Sequence, residues 1–485
     1  MGNVLKGIEP QIVWDYFEQI CQYPHPSKKE HKLAAFIENW GKSNGFEVQK
    51  DKTGNMVIRK RATIGMEDRL PICIQGHIDM VCEKNSDVKF DFENDPIQPY
   101  IDGDWVKAKG TTLGADNGIG IAMGMAIMTG GYAHPDIELL CTLDEETGLT
   151  GAMTLSKNLL KAKILINLDS EEDGAFTIGC AGGMNTAGSY NYKSKKVPSN
   201  YIGFKISLKG MQGGHSGIEI HDGRANALRL CNRFVYEAMQ EFDLKLSAIY
   251  GGSAHNAIPR EAFAEVVVPS EKKGEFLEFV KLYDEKIKAE WKSKEPNIMV
   301  QAEKIGTIKR VMSKNMQRKL VKSFYAMPSG VYRMSPDIKG LVQTSTNFAV
   351  VETREKEVFV LTSQRSSIES EKRDIANKVR TIMELGGAKV KQGDGYPAWQ
   401  PNMDSKILKL ASEIYEKKYG NPPKIQAIHA GLECGLIGEK YPGMDMLSFG
   451  PNLVDVHSPD ERVQISSVER CFNLLQEIIN NIPKK

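Results

Sequence analysis

PICIQGHID (residues 71–79) decides the fold. The run 71–75 is short and almost wholly apolar. It lacks the alternation of a half-exposed strand and suits one buried on both faces of a parallel sheet. Two more runs of this kind follow at 137–143 and 164–168. Between the first two, Asn117-Gly118 precedes IGIAMGMAIM, a helix pattern. Strand and helix in alternation predict an α/β domain with a mixed, mostly parallel sheet flanked by helices.

Upstream of that stretch, VWDYFEQI has helical spacing. Ser27 with Glu30 resembles a capping box ahead of KLAAFIENW. Short strands at 46–48 and 56–58 flank the turn signal Lys52-Thr53-Gly54-Asn55. Past Gly182-Gly183 the character changes. Strands at 204–208, 244–250 and 262–268 accompany helices at 224–239 and 272–291. A second group has strands at 346–351 and 358–362 and a helix at 369–385. These predict an inserted, two-lobed α+β lid domain over 184–398. From residue 404 the α/β pattern returns. It has a helix at 407–418, strands at 425–428 and 446–449, and a closing helix opened by Ser466 with Glu469. The first domain is therefore expected to be discontinuous, over 1–183 and 399–485.

A chain of 485 residues is too long for one simple core. Hydrophobic residues at 41%, charged residues at 26% and a net charge of +1 give no global field for nucleic acid or an anionic membrane. The basic stretch 314–322 has no interleaved aromatics and reads as a solvated face. No apolar run is long enough to span a bilayer. The start lacks the order of a signal peptide, and Met1-Gly2 lacks the downstream Ser or Thr of a myristoylation signal. The eight cysteines form no C-x-x-C pair and read as buried thiols in a reducing cytoplasm.

The chemistry gathers where the apolar runs end, which is where ligands collect in open α/β sheets. The first run ends in His77 and Asp79, the second in Asp144, Glu145 and Glu146, the third in Asp169. Asp116 sits in a glycine-flanked turn at a helix start. A single acid at a strand end is ordinarily a cap or a solvated loop residue; recurrence at three strands is what points to a site. Residues two apart on an extended segment share a side, so Asp79 can reach one ring nitrogen of His77 and leave the other for a metal. Nitrogen and oxygen donors without cysteine suit zinc, cobalt or manganese. Of the adjacent Glu145 and Glu146, one can bind metal while the other takes a proton from a metal-activated water.

The segments GHIDMVCEK, GTTLGADNGIGIA, LDEETGLTGA, INLDSEEDG, GGHSG, HAGLECG and FGPNLVDVHSPDERV together resemble the M20 metallopeptidases, within them the aminoacyl-histidine dipeptidases. The resemblance implies a zinc-peptidase-like catalytic domain holding two divalent metal ions, zinc first, with cobalt or manganese as alternatives. By it, His77 and Asp169 bind one metal, Glu146 and His457 the other, and Asp116 bridges, with a cis peptide bond after it. Asp79 orients His77, and Glu145 is the general base. The implied activity is hydrolysis of unblocked dipeptides, Xaa-His included, in the cytoplasm. The lid is a possible homodimer contact.

The resemblance also gives His215 as donor to the oxyanion, Arg365 as holder of the peptide carboxylate, Glu433 as a contact for the free amine and Asn256 as a substrate-binding residue, on the oxyanion side or as a lid contact. Competing readings stand beside these: a loop histidine bonding its own turn, a surface arginine, and an acid favoured at a helix N-terminus. His429 reads as a structural partner or pocket residue. His25, His31, His134, His221 and His255 read as surface or hydrogen-bonding residues in loops and on exposed faces. The alternatives in function are a tripeptidase or N-acyl amino-acid deacylase of the same family, and a metal-binding scaffold without catalysis.

Overall fold

The computed structural model describes residues 4–485, so Met1-Gly2 lies outside the described residues. The chain divides into two compact units. The first comprises the chain through Cys180, Trp399–Ala427 and Leu432–Lys485; the second is Ala181–Ala398 with Ile428–Gly431. The second unit thus begins at Ala181 rather than 184, and it also takes Ile428–Gly431. The Ala181 N–H donates to the Ile428 carbonyl at 3.0 Å, which ties that short segment to its start.

In the first unit eight strands form one sheet, in the order Glu47–Lys50, Met56–Lys60, Ile137–Thr142, Ile72–His77, Ile164–Asn167, Asp445–Ser448, Ala175–Cys180, Lys424–Ile428. The strand Ile72–His77, formed from the apolar run 71–75, lies near the middle. Parallel pairing is confined to the four strands from Ile137–Thr142 to Asp445–Ser448. The strands outside them pair antiparallel where they join. Those four central strands are buried almost throughout, as strands inside a covered parallel sheet are. One covering helix, Ala115–Thr129, is buried almost all round, as a helix without a polar face must be.

A smaller four-stranded sheet orders Leu453–Val454, Arg462–Gln464, Trp105–Ala108 and Pro99–Asp102. The loop 455–461 between its first two strands carries His457. Nothing in the sequence reading anticipated this sheet, since its strands run only two to four residues.

The second unit has one nine-stranded antiparallel sheet. The strands of the two expected lobes are continuous in it, joined where Gly251 on Lys245–Gly251 pairs with Val351 on Val342–Thr353. The helices Ala227–Glu241, Lys273–Trp291, Lys314–Ala326 and Glu369–Leu385 contribute to a core that includes Phe204, Phe234, Phe276, Phe324 and Phe348. The basic stretch 314–322 is part of an amphipathic helix capped by Ser313, with Leu320, Val321 and Phe324 buried.

Both expected capping boxes fail. The Ser27 hydroxyl donates to Asp79 Oδ2 at 2.7 Å, and the helix His31–Ser43 has no side-chain cap. The Ser466 hydroxyl donates to Asp104 Oδ2 at 2.6 Å, beside an equally uncapped helix Ile465–Asn480. In each case a carboxylate brought in by the tertiary fold outcompetes the local backbone. His25 and His134 take the hydrogen-bonding role of the two expected, with Nδ1 against the carbonyls of Tyr23 and Pro135, but they are buried rather than exposed.

Candidate metal centre

The three parallel strands end side by side, so their following residues converge. His77 is the last residue of its strand and is buried. Its Nε2 lies 3.1 Å from Asp116 Oδ1 and 3.4 Å from Asp169 Oδ1. His457 Nε2 lies 3.2 Å from Asp116 Oδ2 and 3.0 Å from Glu146 Oε2. Ligand atoms of His77, Asp116 and Asp169 lie within 4.8 Å of one another, and so do those of Asp116, Glu146 and His457. Asp116 is common to both groups and turns one oxygen toward each. A third group within the same distance joins His77, Glu145 and Glu146. The peptide bond from Asp116 to Asn117 is cis.

Gly76 explains why the opening motif needs a glycine. A Cβ there would lie 2.1 Å from Asn117 Oδ1. Asn117 is buried at that point and donates from Nδ2 to the Leu168 carbonyl at 2.6 Å. The segment after Asp116 is thereby tied to the strand that leads into Asp169.

Asp79 does more than face His77. His77 Nδ1 is 3.3 Å from Asp79 Oδ1 and 3.1 Å from the Asp79 carbonyl. The same carboxylate accepts the backbone N–H of Glu145 at 2.9 Å, that of Glu146 at 3.2 Å, and the Ser27 hydroxyl. Asp144 precedes this turn with φ at 49°, and its carboxylate accepts the hydroxyls of Thr147 and Thr150.

The electrostatics follow from packing acids around two imidazoles. Burial alone would lower His77, but Asp169, Asp116 and Asp79 outweigh it and hold the ring well above its ordinary value. Hydrogen bonds to Asp116 and Glu146 push His457 up to about 11. Asp116 is held below the usual range: burial opposes this, and its bonds to His457 and His77 prevail. Burial raises Asp169 to about 6 against the pull of His77. Glu145 is raised well above the carboxylate range by burial, with Asp169, Glu433 and Glu146 adding to it. Burial of a carboxylate among other acids is the kind of environment found at proton-transfer positions.

The donor set fits divalent metal ions. It consists of nitrogen and oxygen ligands without cysteine. Asp169 Oδ1 is buried and, apart from His77 Nε2 at 3.4 Å, has no polar partner, an atom placed for a cation.

Below this cluster lies a polar network absent from the sequence reading. Glu433, at the start of the helix Glu433–Lys440, is buried. Its Oε2 accepts from Gln75 Nε2 at 2.6 Å and from the Thr142 hydroxyl at 2.7 Å. Gln75 Oε1 in turn accepts from Asn167 Nδ2 at 2.7 Å. Glu433 Oε1 is buried without a partner, and burial raises the group to about 7. Gln75, Thr142 and Asn167 are polar residues inside apolar runs, and that is the one sequence signal that could have flagged them.

The second unit holds the other expected residues. His215 pairs with Ala257 in a two-stranded ribbon. Its Nδ1 accepts the N–H groups of Gly217 at 3.3 Å and Ile218 at 3.1 Å. The histidine does bond its own turn, and in doing so it fixes the tautomer, leaving the proton on Nε2. Burial, with Arg365 and His255 adding, lowers its pKa, so the ring is a neutral donor. Arg365 is 7% exposed, on the strand Glu357–Ser366, and so is not a surface arginine. Its Nη1 donates to the Tyr396 hydroxyl at 2.8 Å, and its Nε is buried without a partner. His429 is buried, with Nε2 2.7 Å from the Ser345 hydroxyl; burial and Arg365 lower it to about 3. Asn256 accepts the Ser216 N–H on its backbone carbonyl at 2.8 Å.

Residues 73–481 match the model of Peptidase family M20/M25/M40. The chain is 44% identical over 482 residues to the cytosol non-specific dipeptidase of Escherichia coli strain K12, covering 99% of each. It superposes on the crystal structure of aminoacylhistidine dipeptidase from Vibrio alginolyticus with a TM-score of 0.93 at 44% identity, covering 99% of this chain and 98% of that one. A tripeptidase from Staphylococcus aureus, at 16% identity and a TM-score of 0.57 over 98% of this chain and 99% of that one, shares the fold.

Proposed function

The chain belongs to peptidase family M20/M25/M40, and from this we propose that it is a dinuclear metal-dependent dipeptidase hydrolysing unblocked dipeptides, Xaa-His among them. The observation that carries the reading is the pair of donor groups sharing Asp116, with Glu145 beside them. Its two 44%-identical relatives, both dipeptidases by name, support the substrate class.

On this reading His77 and Asp169 hold one metal ion, Glu146 and His457 the other, and Asp116 both. Zinc is the first expectation, with cobalt or manganese as alternatives. Two such ions, when bound, would acidify the attacking water and polarise the scissile carbonyl. Glu145 takes the water proton and later gives it to the leaving amine; its raised pKa suits both halves of that transfer. Asp79 holds His77 and the Glu145-Glu146 turn together. His215 donates from Nε2 to the oxyanion of the tetrahedral intermediate. Arg365, buried with Nε unpartnered, takes the substrate carboxylate. Glu433 offers its unpartnered oxygen to the free amine, and Asn256 is a further substrate contact.

The site of action proposed is the cytosol, after the Escherichia coli relative; among the described residues no helix is long and apolar enough to cross a membrane. A homodimer through the second unit belongs to the same reading, and sedimentation velocity tests it. For the activity, metal-loaded protein is assayed on dipeptides, tripeptides, N-acetylated dipeptides and N-acyl amino acids, with metal content measured in parallel. Turnover of free dipeptides at two metal ions per chain is the expected result. Preference for tripeptides or acyl amino acids would replace the reading with another hydrolase of the family.

A further inference from the structure

Glu461 was not singled out by any motif reading, yet its carboxylate is among the most fully used in the molecule. It is 2% exposed. Oε2 accepts the backbone N–H of Leu113 at 2.7 Å and of Gly114 at 3.0 Å. Oε1 accepts those of Ala115 at 2.9 Å and Asp116 at 3.3 Å. Glu461 and His457 share the loop 455–461. One loop therefore supplies an imidazole to Asp116 Oδ2 and a carboxylate to the backbone that carries Asp116.

A helix start leaves N–H groups to be satisfied, and a cap is the plain reading of such contacts. Two facts go beyond it. Asp116 and Asn117 are not helical: their φ/ψ values are −84°/102° and −115°/28°. The N–H bonds therefore hold an irregular segment whose geometry the helix does not impose. Moreover, a buried carboxylate stands here beside the Asp116 carboxylate, where a neutral Ser or Asn cap would avoid the repulsion. On the other side, Asn117 is anchored to the Leu168 carbonyl. Asp116 is thus gripped from both flanks, once from the segment that carries Asp169 and once from the loop that carries His457.

We propose that Glu461 is the positioning residue for the shared metal ligand: it fixes the backbone at Asp116 so that the two carboxylate oxygens face the two metal positions at once. This rests on the reading of Asp116 as shared. Removing one acceptor oxygen lets that segment turn. The contact to one metal then weakens while the remaining ligands stay in place. Outer groups that hold ligands typically contribute 10–100-fold in metal affinity.

The test is zinc titration of the metal-free full chain for wild type, Glu461→Gln, Glu461→Asp and Asp116→Asn, with melting temperatures recorded with and without zinc. For Glu461→Gln we expect one zinc bound normally and the other at least about tenfold more weakly. We also expect a smaller zinc-induced rise in melting temperature, a lower kcat and an unchanged KM, with the metal-free melting temperature near wild type. Glu461→Asp, which keeps the charge and shortens the reach, shows the same split. Two tightly bound zinc ions in both Glu461 variants would overturn the proposal. So would metal-free variants that melt low while the zinc-induced rise is unchanged, since that describes a helix cap alone. Asp116→Asn that binds both zinc ions as wild type would instead remove the shared-ligand premise, and the proposal with it.

Discussion

Asp79 accepts the backbone N–H of Glu145 at 2.9 Å through the same oxygen that lies 3.3 Å from His77 Nδ1. One carboxylate thus sets both the imidazole proposed as a metal ligand and the turn that presents the proposed base. It is held at about 2: burial opposes this, and His77, the Glu145 N–H and the Ser27 hydroxyl together prevail. Asp79→Ala is therefore expected to lower metal affinity and kcat together, each by about 10–100-fold. Ser27→Ala, which removes one of the accepted bonds, should lower kcat only slightly. Equilibrium dialysis and steady-state kinetics measure both. An Asp79→Ala protein with wild-type metal affinity would contradict the orienting role.

His215 is fixed as an Nε2–H donor by its own turn. Its loss should cost transition-state stabilisation rather than ground-state binding. His215→Ala is expected to keep its metal content and KM while kcat falls by about 10²–10³-fold. A rise in KM at constant kcat would assign His215 to substrate binding instead.

Gly76→Ala should destabilise the protein by about 1–3 kcal/mol through overpacking against Asn117. Chemical denaturation checks this. Part of the loss should be recovered in Gly76→Ala with Asn117→Ser, which opens the space.

Stability should also fall in mild acid through His429. Its folded value is about 3 and its ordinary value 6.5. Below 6.5 the unfolded chain takes up a proton that the folded chain refuses. The stabilisation is therefore complete above pH 6.5 and is lost as pH falls toward 3, at about 1.4 kcal/mol per pH unit. His429→Gln should flatten the dependence of melting temperature on pH between 6.5 and 5. An unchanged slope would place the effect on other groups, such as buried His25 and His134.

Much of the catalytic frame was legible from residues 71–79 outward. Short apolar runs without alternation, bounded by turn residues, suit strands buried on both faces, and polar residues at their ends then share one edge. The register that aligns His77 with Thr142, and Gln75 with Asn167, was not legible, because it is set by pairing across long separations. The same holds for Glu461, which bonds Asp116 across 345 residues. Ser27 and Ser466 looked like local caps, and each was claimed by a distant aspartate. His215 could be read in two ways from its glycines. The fold reconciles them, since bonding the turn through Nδ1 is what frees Nε2–H.

The most direct test of the central claim is Glu145→Ala. Metal content by mass spectrometry and dipeptide turnover are measured on the same preparation. Two metal ions per chain with kcat reduced by about 10²–10⁴-fold is the result the account predicts. Wild-type kcat in that variant would show that Glu145 is not the base.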